Sequence, residues 1–110
     1  MISISRDNGL VTLINAFCCE PAAQQALVDA WREAEAELGT LPGVVSAALH
    51  RSLDGTRVIN YGQLRSAEDW ENLRRIGRMK AYFECINRFG RADAHLYEVI
   101  YTLDRSGAAV

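Results

Sequence analysis

The chain is poor in the residues on which the commonest chemistries depend: its 110 residues include only three cysteines, two histidines and two prolines. Three cysteines make no disulfide framework, and the adjacent pair Cys18 and Cys19 would point to opposite faces of a strand. That pair is a poor chelate and a poor intramolecular bridge. With Cys85, set among apolar residues of a predicted helix, the cysteines read as reduced small hydrophobes. There is no glycine-rich phosphate loop, no H-E-x-x-H, no C-x-x-C and no G-x-S-x-G, so neither a metal nor a common cofactor is expected. A net charge of −2 lacks the basic footprint of a nucleic-acid-binding domain. No apolar run approaches the ~20 residues of a membrane span. The opening MISISRDNG has neither a basic segment nor an apolar signal core, which gives the expectation of a cytoplasmic protein.

What is present is ordinary globular composition at single-domain length, with one domain expected over 1–110 and its core between about 10 and 104. Residues 1–9 are polar and read as loose. Val11 to Cys18 alternates Val11, Leu13, Asn15 and Phe17 against Thr12, Ile14, Ala16 and Cys18, the pattern of a strand covered on both faces. Pro21 stands at the start of a helix, and Ala23, Leu27, Ala30, Trp31, Ala34 and Leu38 follow at helical spacing up to Gly39. Leu41-Pro42-Gly43 precedes a second strand, Val44 to Ser52. Asp54-Gly55 makes a hairpin turn, and Thr56 to Leu64 returns as the third strand.

Ser66, with Asp69 three residues on, caps a second helix carrying Trp70, Leu73 and Arg74. A break is expected at Gly77, before a helical piece with Met79, Tyr82, Phe83 and Ile86. His95 to Leu103 alternates as a last strand, and Asp104 to Val110 reads as a disordered tail. The order βαββαβ predicts an α+β, ferredoxin-like fold: a four-stranded antiparallel sheet with its helices on one face. The strands are apolar on both faces and the helices cover one. A second copy of the sheet is the simplest cover for the other, so a homodimer with sheets face to face is expected.

The stretch His50 to Trp70, HRSLDGTRVINYGQLRSAEDW, holds the polar groups that a purely structural hairpin would not need. Whether His50 and Asn60 share a face depends on the loop. A two-residue loop at Asp54-Gly55 pairs His50 with Ile59 and sends Asn60 to the other side. A three-residue loop, Leu53 to Gly55, pairs His50 with Val58 and brings Asn60 to the same side. A joint site for the two therefore requires the odd loop.

The pattern H-R-S-x-D-G-T-x-V-x-N-Y-x-Q, followed by S-x-E-D-W, resembles the antibiotic biosynthesis monooxygenase family of small dimeric α+β-barrel proteins. It is most similar to the anthrone oxygenases of aromatic polyketide pathways. The likeness runs from Val11 to about Leu103 and includes the Leu-Pro-Gly turn and the H-L-Y-E-V segment. The resemblance implies oxygenation by O2 without metal, flavin or haem, in a homodimer. It implies Asn60 as the main catalytic group at the reacting oxygen and a histidine ten positions earlier, matched by His50. Histidine's reference pKa of ~6.5 suits His50 to act as proton acceptor at neutral pH. Two positions depart from the family pattern: its tryptophan falls at Leu64 and its helical tyrosine at Trp70. Its second-helix arginine has Arg78 or Arg75 as the nearest substitute. Trp31, Leu64, Trp70, Met79 and Phe83 are the candidate apolar walls of a pocket for an aromatic small molecule, with Arg78 at its polar side.

The same fold also serves haem-degrading oxygenases, for which Asn15 and Trp70 match a first-strand asparagine and a helical tryptophan. The expected haem-ligand position is Lys80, and no histidine lies between His50 and His95. From a different class, a non-catalytic ligand-binding or accessory protein of the same fold is the alternative, and Leu64 and Trp70 favour it. The basic run Arg74, Arg75, Arg78, Lys80, Arg88 and Arg91 reads as a solvated helix face, with an anionic ligand or acidic partner as its functional alternative.

Overall fold

The computed structural model describes residues 2–105. Eight-residue strands β1 (Val11–Cys18), β2 (Val44–Arg51) and β3 (Arg57–Leu64) join β4 (Arg91–Tyr97) in one antiparallel sheet of order β2-β3-β1-β4. After a 3-10 turn at Pro21–Ala23 comes α1 (Gln24–Leu38), and α2 (Ala67–Arg75) and α3 (Gly77–Asn87) connect β3 to β4. This is the expected ferredoxin-like α+β arrangement. No described helix is long and apolar enough to cross a membrane.

Burial follows the sequence periods. Leu27, Trp31, Ala34 and Leu38 form the buried stripe of α1, and Leu13, Phe17, Val58 and Leu64 rise to meet it from the sheet. Four rings bind the layers edge to face: Phe17 to Trp31 at 5.5 Å, Trp31 to Phe83 at 6.2 Å and Phe83 to Trp70 at 6.4 Å. Each such pair adds roughly 0.5–1.5 kcal/mol beyond its buried area. The first strand, α1, α3 and α2 are thus tied through one aromatic line.

Ser66 caps α2 as expected: its hydroxyl accepts from the Asp69 amide at 3.1 Å and donates to Asp69 Oδ2 at 2.9 Å. Gly43, at φ +87°, lies against this cap. A side chain there would collide with that of Asp69, so the Leu-Pro-Gly turn docks the start of β2 onto the start of α2. The helical break falls at Ile76, whose extended backbone separates α2 from α3, one residue before Gly77.

Two expectations are corrected. The last strand runs over Arg91–Tyr97 and not His95–Leu103. The chain leaves α3 through Gly90, packed against the Cys18 carbonyl, so pairing with β1 must begin at Arg91 opposite Cys18. By Tyr97, opposite Thr12, β1 is nearly used up. Beyond it Ile100, Tyr101 and Leu103 stand exposed. The N-terminal segment is also not loose throughout, because the Ser3 carbonyl accepts a 2.8 Å hydrogen bond from Gln63 on the outer face of the sheet. Most of the tail expected to be disordered lies outside the described residues.

Glu35 sits on the flank of α1 that carries Val28 and Arg32, half-buried, with Oε1 buried and unpartnered. Burial pushes its carboxyl up from 4.5 to about 7. The native state therefore holds a proton that the unfolded state releases between those values, and stability falls as pH rises through that window. With part of the carboxyl still in water, the loss is on the order of 1–2 kcal/mol. Urea melts from pH 4.5 to 7.5 should show this slope in the wild type and lose it in Glu35→Gln. Equal slopes would contradict the assignment.

Candidate active site between the sheet and the helices

The hairpin loop decides which polar residues meet. Ser52 N donates to Arg57 O at 3.0 Å, closing a four-residue loop, Leu53–Thr56. Gly55 takes φ +83° and its amide reaches Ser52 O at 3.2 Å. Asp54 Oδ1 accepts from the Ser52 hydroxyl, the Thr56 amide and the Thr56 hydroxyl, at 2.8, 3.0 and 2.6 Å. Those bonds, the Thr56 hydroxyl's first, hold the Asp54 carboxyl down at about 2. A four-residue loop has the parity of a two-residue one, so His50 pairs with Ile59 and Leu49 with Asn60.

His50 and Asn60 therefore point to opposite faces, and the joint site requiring the odd loop does not form. His50 is exposed, in a depression at the β2 edge with Val28, Arg32 and Arg51. Asn60 faces the helices. Beside it, directly across the β1–β3 pair, stands Asn15. One row crosses the sheet as Leu49, Asn60, Asn15 and Ala94. Asn60 is 3% and Asn15 5% exposed, and the Oδ1 atom of each is buried without a partner among the described residues. An unsatisfied buried acceptor costs roughly 1–3 kcal/mol, so two side by side mark a place prepared for hydrogen-bond donors.

Two cavities adjoin this row. The larger, about 370 Å³, is bounded by Asn15, Phe17, Trp70, Arg74, Phe83, Asn87, Ala92 and Ala94. The smaller, about 20 Å³, is almost filled; Asn60, Leu13, Trp31, Leu64, Trp70, Leu73 and Phe83 are among the residues around it. Trp70 and Phe83 border both. Trp31 Nε1 is a buried donor without a partner, as Asn60 Oδ1 is a buried acceptor, and both residues line the smaller space.

Of the expected site residues, Asn60, Trp70, Leu64, Trp31 and Phe83 are brought together. Met79 is fully buried and lines neither cavity. Arg78 lies outside both, its Nε paired with Glu37 Oε2 at 3.0 Å across the α1–α3 seam. Asn15, weighed only for haem, and Arg74, read as solvated, belong to the larger cavity instead. Alternation in phase with Leu13 and Phe17 along β1 is the signal that would have found Asn15. Lys80, at the position expected for a haem ligand, is exposed. Among the described residues no three His, Cys, Asp or Glu side chains are grouped so as to hold a metal ion.

A one-layer antiparallel sheet backed by helices, with an aromatic-walled cavity beside paired asparagines, defines a small α+β protein of the ferredoxin-like class with a candidate ligand pocket. The chain belongs to the antibiotic biosynthesis monooxygenase family, whose pattern it matches over residues 10–84. It is 33% identical over 103 residues to the tetracenomycin-F1 monooxygenase of Streptomyces glaucescens, covering 93% of this chain and 92% of that protein. Its fold is similar to the ActVA-Orf6 monooxygenase of Streptomyces coelicolor, solved with nanaomycin D, at TM-score 0.73 and 27% identity, covering 86% of this chain and 90% of that one. The cofactor-independent oxygenase SnoaB of Streptomyces nogalater shares the fold at TM-score 0.74 and 17% identity, over 86% of this chain and 97% of that one.

Asparagines kept for a ligand should cost stability in its absence. Asn60→Leu, similar in volume and free of the orphaned oxygen, should gain about 1 kcal/mol, or ~4–8 °C in Tm. Asn15→Leu should behave alike. A loss of more than about 1 kcal/mol in thermal melts would mean that the amides are satisfied where they stand.

Proposed function

We propose that the chain is a cofactor-independent monooxygenase that oxidises an aromatic polyketide-like phenol or anthrone to a quinone with O2. The observation that carries this reading is the pair of unsatisfied asparagine oxygens beside an aromatic-walled cavity. The likeness to the tetracenomycin-F1 monooxygenase over nearly the whole chain supports it.

The chemistry asks little of the protein. An anthrone methylene between two aromatic rings is acidic. The Asn60 and Asn15 Oδ1 atoms accept from the ligand's phenol hydroxyls, and their amide N–H groups lower the methylene's pKa further by donating to the enolate oxygen. The proton leaves to water at the open side of the larger cavity. The carbanion passes one electron to O2, and the resulting radical and superoxide combine to a peroxide. Loss of water from that peroxide leaves the quinone, so that CH2 and O2 become C=O and H2O. Phe17, Trp70 and Phe83 hold the rings and exclude bulk water. His50, on the other face, takes no part within the chain's own pocket.

One observation favours the second reading, a non-catalytic binding or accessory protein. The space beside Asn60 is only about 20 Å³, so a substrate reaches Asn60 only if Trp70 or Phe83 turns aside. Phe83 is only half-buried and has room to turn, and the catalytic reading stands on that motion.

The assembly proposed is a homodimer in the cytoplasm. Ile14, Ala16, Ile59 and Tyr61 on the outer face are only half-buried, and Tyr97, Ile100, Tyr101 and Leu103 are exposed. A second copy of the same face covers both sets. Light scattering at micromolar concentration should give twice the chain mass, falling to one chain in Tyr101→Asp/Leu103→Asp. A wild-type monomer would overturn the dimer.

Oxygen uptake with dithranol in metal-free buffer tests the activity. The wild type should exceed the spontaneous rate, Asn60→Ala should lose about 10²-fold, and His50→Ala should stay within about threefold. Uptake no faster than the spontaneous rate would move the assignment to the binding reading.

A further inference from the structure

Among the described residues Arg74 is the one charged side chain on the wall of the larger cavity. Its guanidinium carbon lies 5.5 Å from the centroid of the Trp70 ring. Stacked in this way, the planar fork is held at the mouth of the cavity and loses little further freedom when it binds. Its partner among the described residues is Glu71, one helical turn back, at 3.4 Å with both side chains about half exposed. That is a weak pair, of the kind worth roughly 0.3–0.5 kcal/mol, and it leaves most of the five N–H donors uncommitted.

The rest of the wall fits a flat ligand with one acidic end. Among the described residues no carboxylate lines the cavity, and Asn87 adds an amide on the side of α3. Opposite the aromatic wall, β4 presents Ala92 and Ala94, paired to Phe17 and Asn15. Two alanines on an edge strand leave a slot beside Trp70 and Phe83 that larger side chains would close. A single fork with no second cation suits a singly charged carboxylate better than a doubly charged phosphate.

We propose that the larger cavity takes a planar polycyclic phenol carrying a carboxylate, and that Arg74 is the specificity-determining residue that binds this carboxylate away from the reacting carbon. This rests on the aromatic-substrate reading above and names the ligand's chemistry within it. Anchoring at a remote acidic group orients the rings toward Asn15 and Asn60, so that one edge of the polycycle is presented to the amides.

The test is binding and needs no turnover. The probes are 1,8-dihydroxyanthraquinone and its carboxylated counterpart, 4,5-dihydroxyanthraquinone-2-carboxylate, titrated by quenching of tryptophan fluorescence at low salt. The wild type should bind the carboxylate about tenfold tighter than the neutral quinone. Arg74→Gln should remove that preference, weakening the carboxylate's binding about tenfold more than the neutral quinone's, and Arg74→Lys should retain part of it. Arg65→Gln, an exposed charge removed elsewhere, should keep the preference and serves as the control for net charge. A preference that survives in Arg74→Gln, or an equal loss for both quinones, overturns the role of Arg74. Equal wild-type affinity for the two quinones also overturns it, and leaves the aromatic pocket standing. If the wild type binds neither, the slot itself is absent, and the substrate reading falls with the inference.

Discussion

The pairing of Leu49 with Asn60 governs which half of the sheet's side chains look at the helices. Because strand side chains alternate, one added or deleted loop residue would turn all of β2 over relative to β3. The loop is fixed by its own chemistry: Asp54 gathers three donors, Gly55 takes the positive φ, and Ser52 closes on Arg57. From that parity follow the pairing of Leu49 with Asn60 under the helices and the exile of His50 to the β2 edge, while the registers of β1 with β3 and β4 extend the row to Asn15 and Ala94.

A site built on that row is held open against the tendency of a small core to close. The aromatic line from Phe17 through Trp31 and Phe83 to Trp70 supplies rigidity, and the same rings form the walls. Beneath them the sheet presents small residues, Ala47 and Gly62 on one side and Ala92 and Ala94 on the other. Both asparagine oxygens go unsatisfied in the same place. A chain selected for stability alone would fill this region with leucine, and that cost is the ground on which the site is proposed.

Much of this was legible in the residues. The stripe of α1, the Ser66 cap, the break before Gly77 and the order of strands all follow from periods and caps that act over a few positions. What was not legible acts at longer range. Asp54-Gly55 marks a turn but is compatible with loops of two, three or four residues, and only closure by Ser52 and Arg57 selects the even one. The alternation of His95 to Leu103 is real, yet pairing is set by where Gly90 returns the chain beside Cys18, and the strand starts four residues earlier. Arg78 and Arg74 are one helical turn apart in sequence. The extended residue at Ile76 puts them on different helices, so Arg78 meets Glu37 while Arg74 lies over Trp70.

The most direct test of the site's location is a titration of the 15N-labelled protein with 1,8-dihydroxyanthraquinone, followed on the side-chain amide resonances. A site between the sheet and the helices predicts that the NH2 signals of Asn15 and Asn60 and the indole signal of Trp70 shift together, while the His50 ring stays still. Shifts at His50 with Asn15 and Asn60 unmoved would contradict it and place the ligand at the β2 edge.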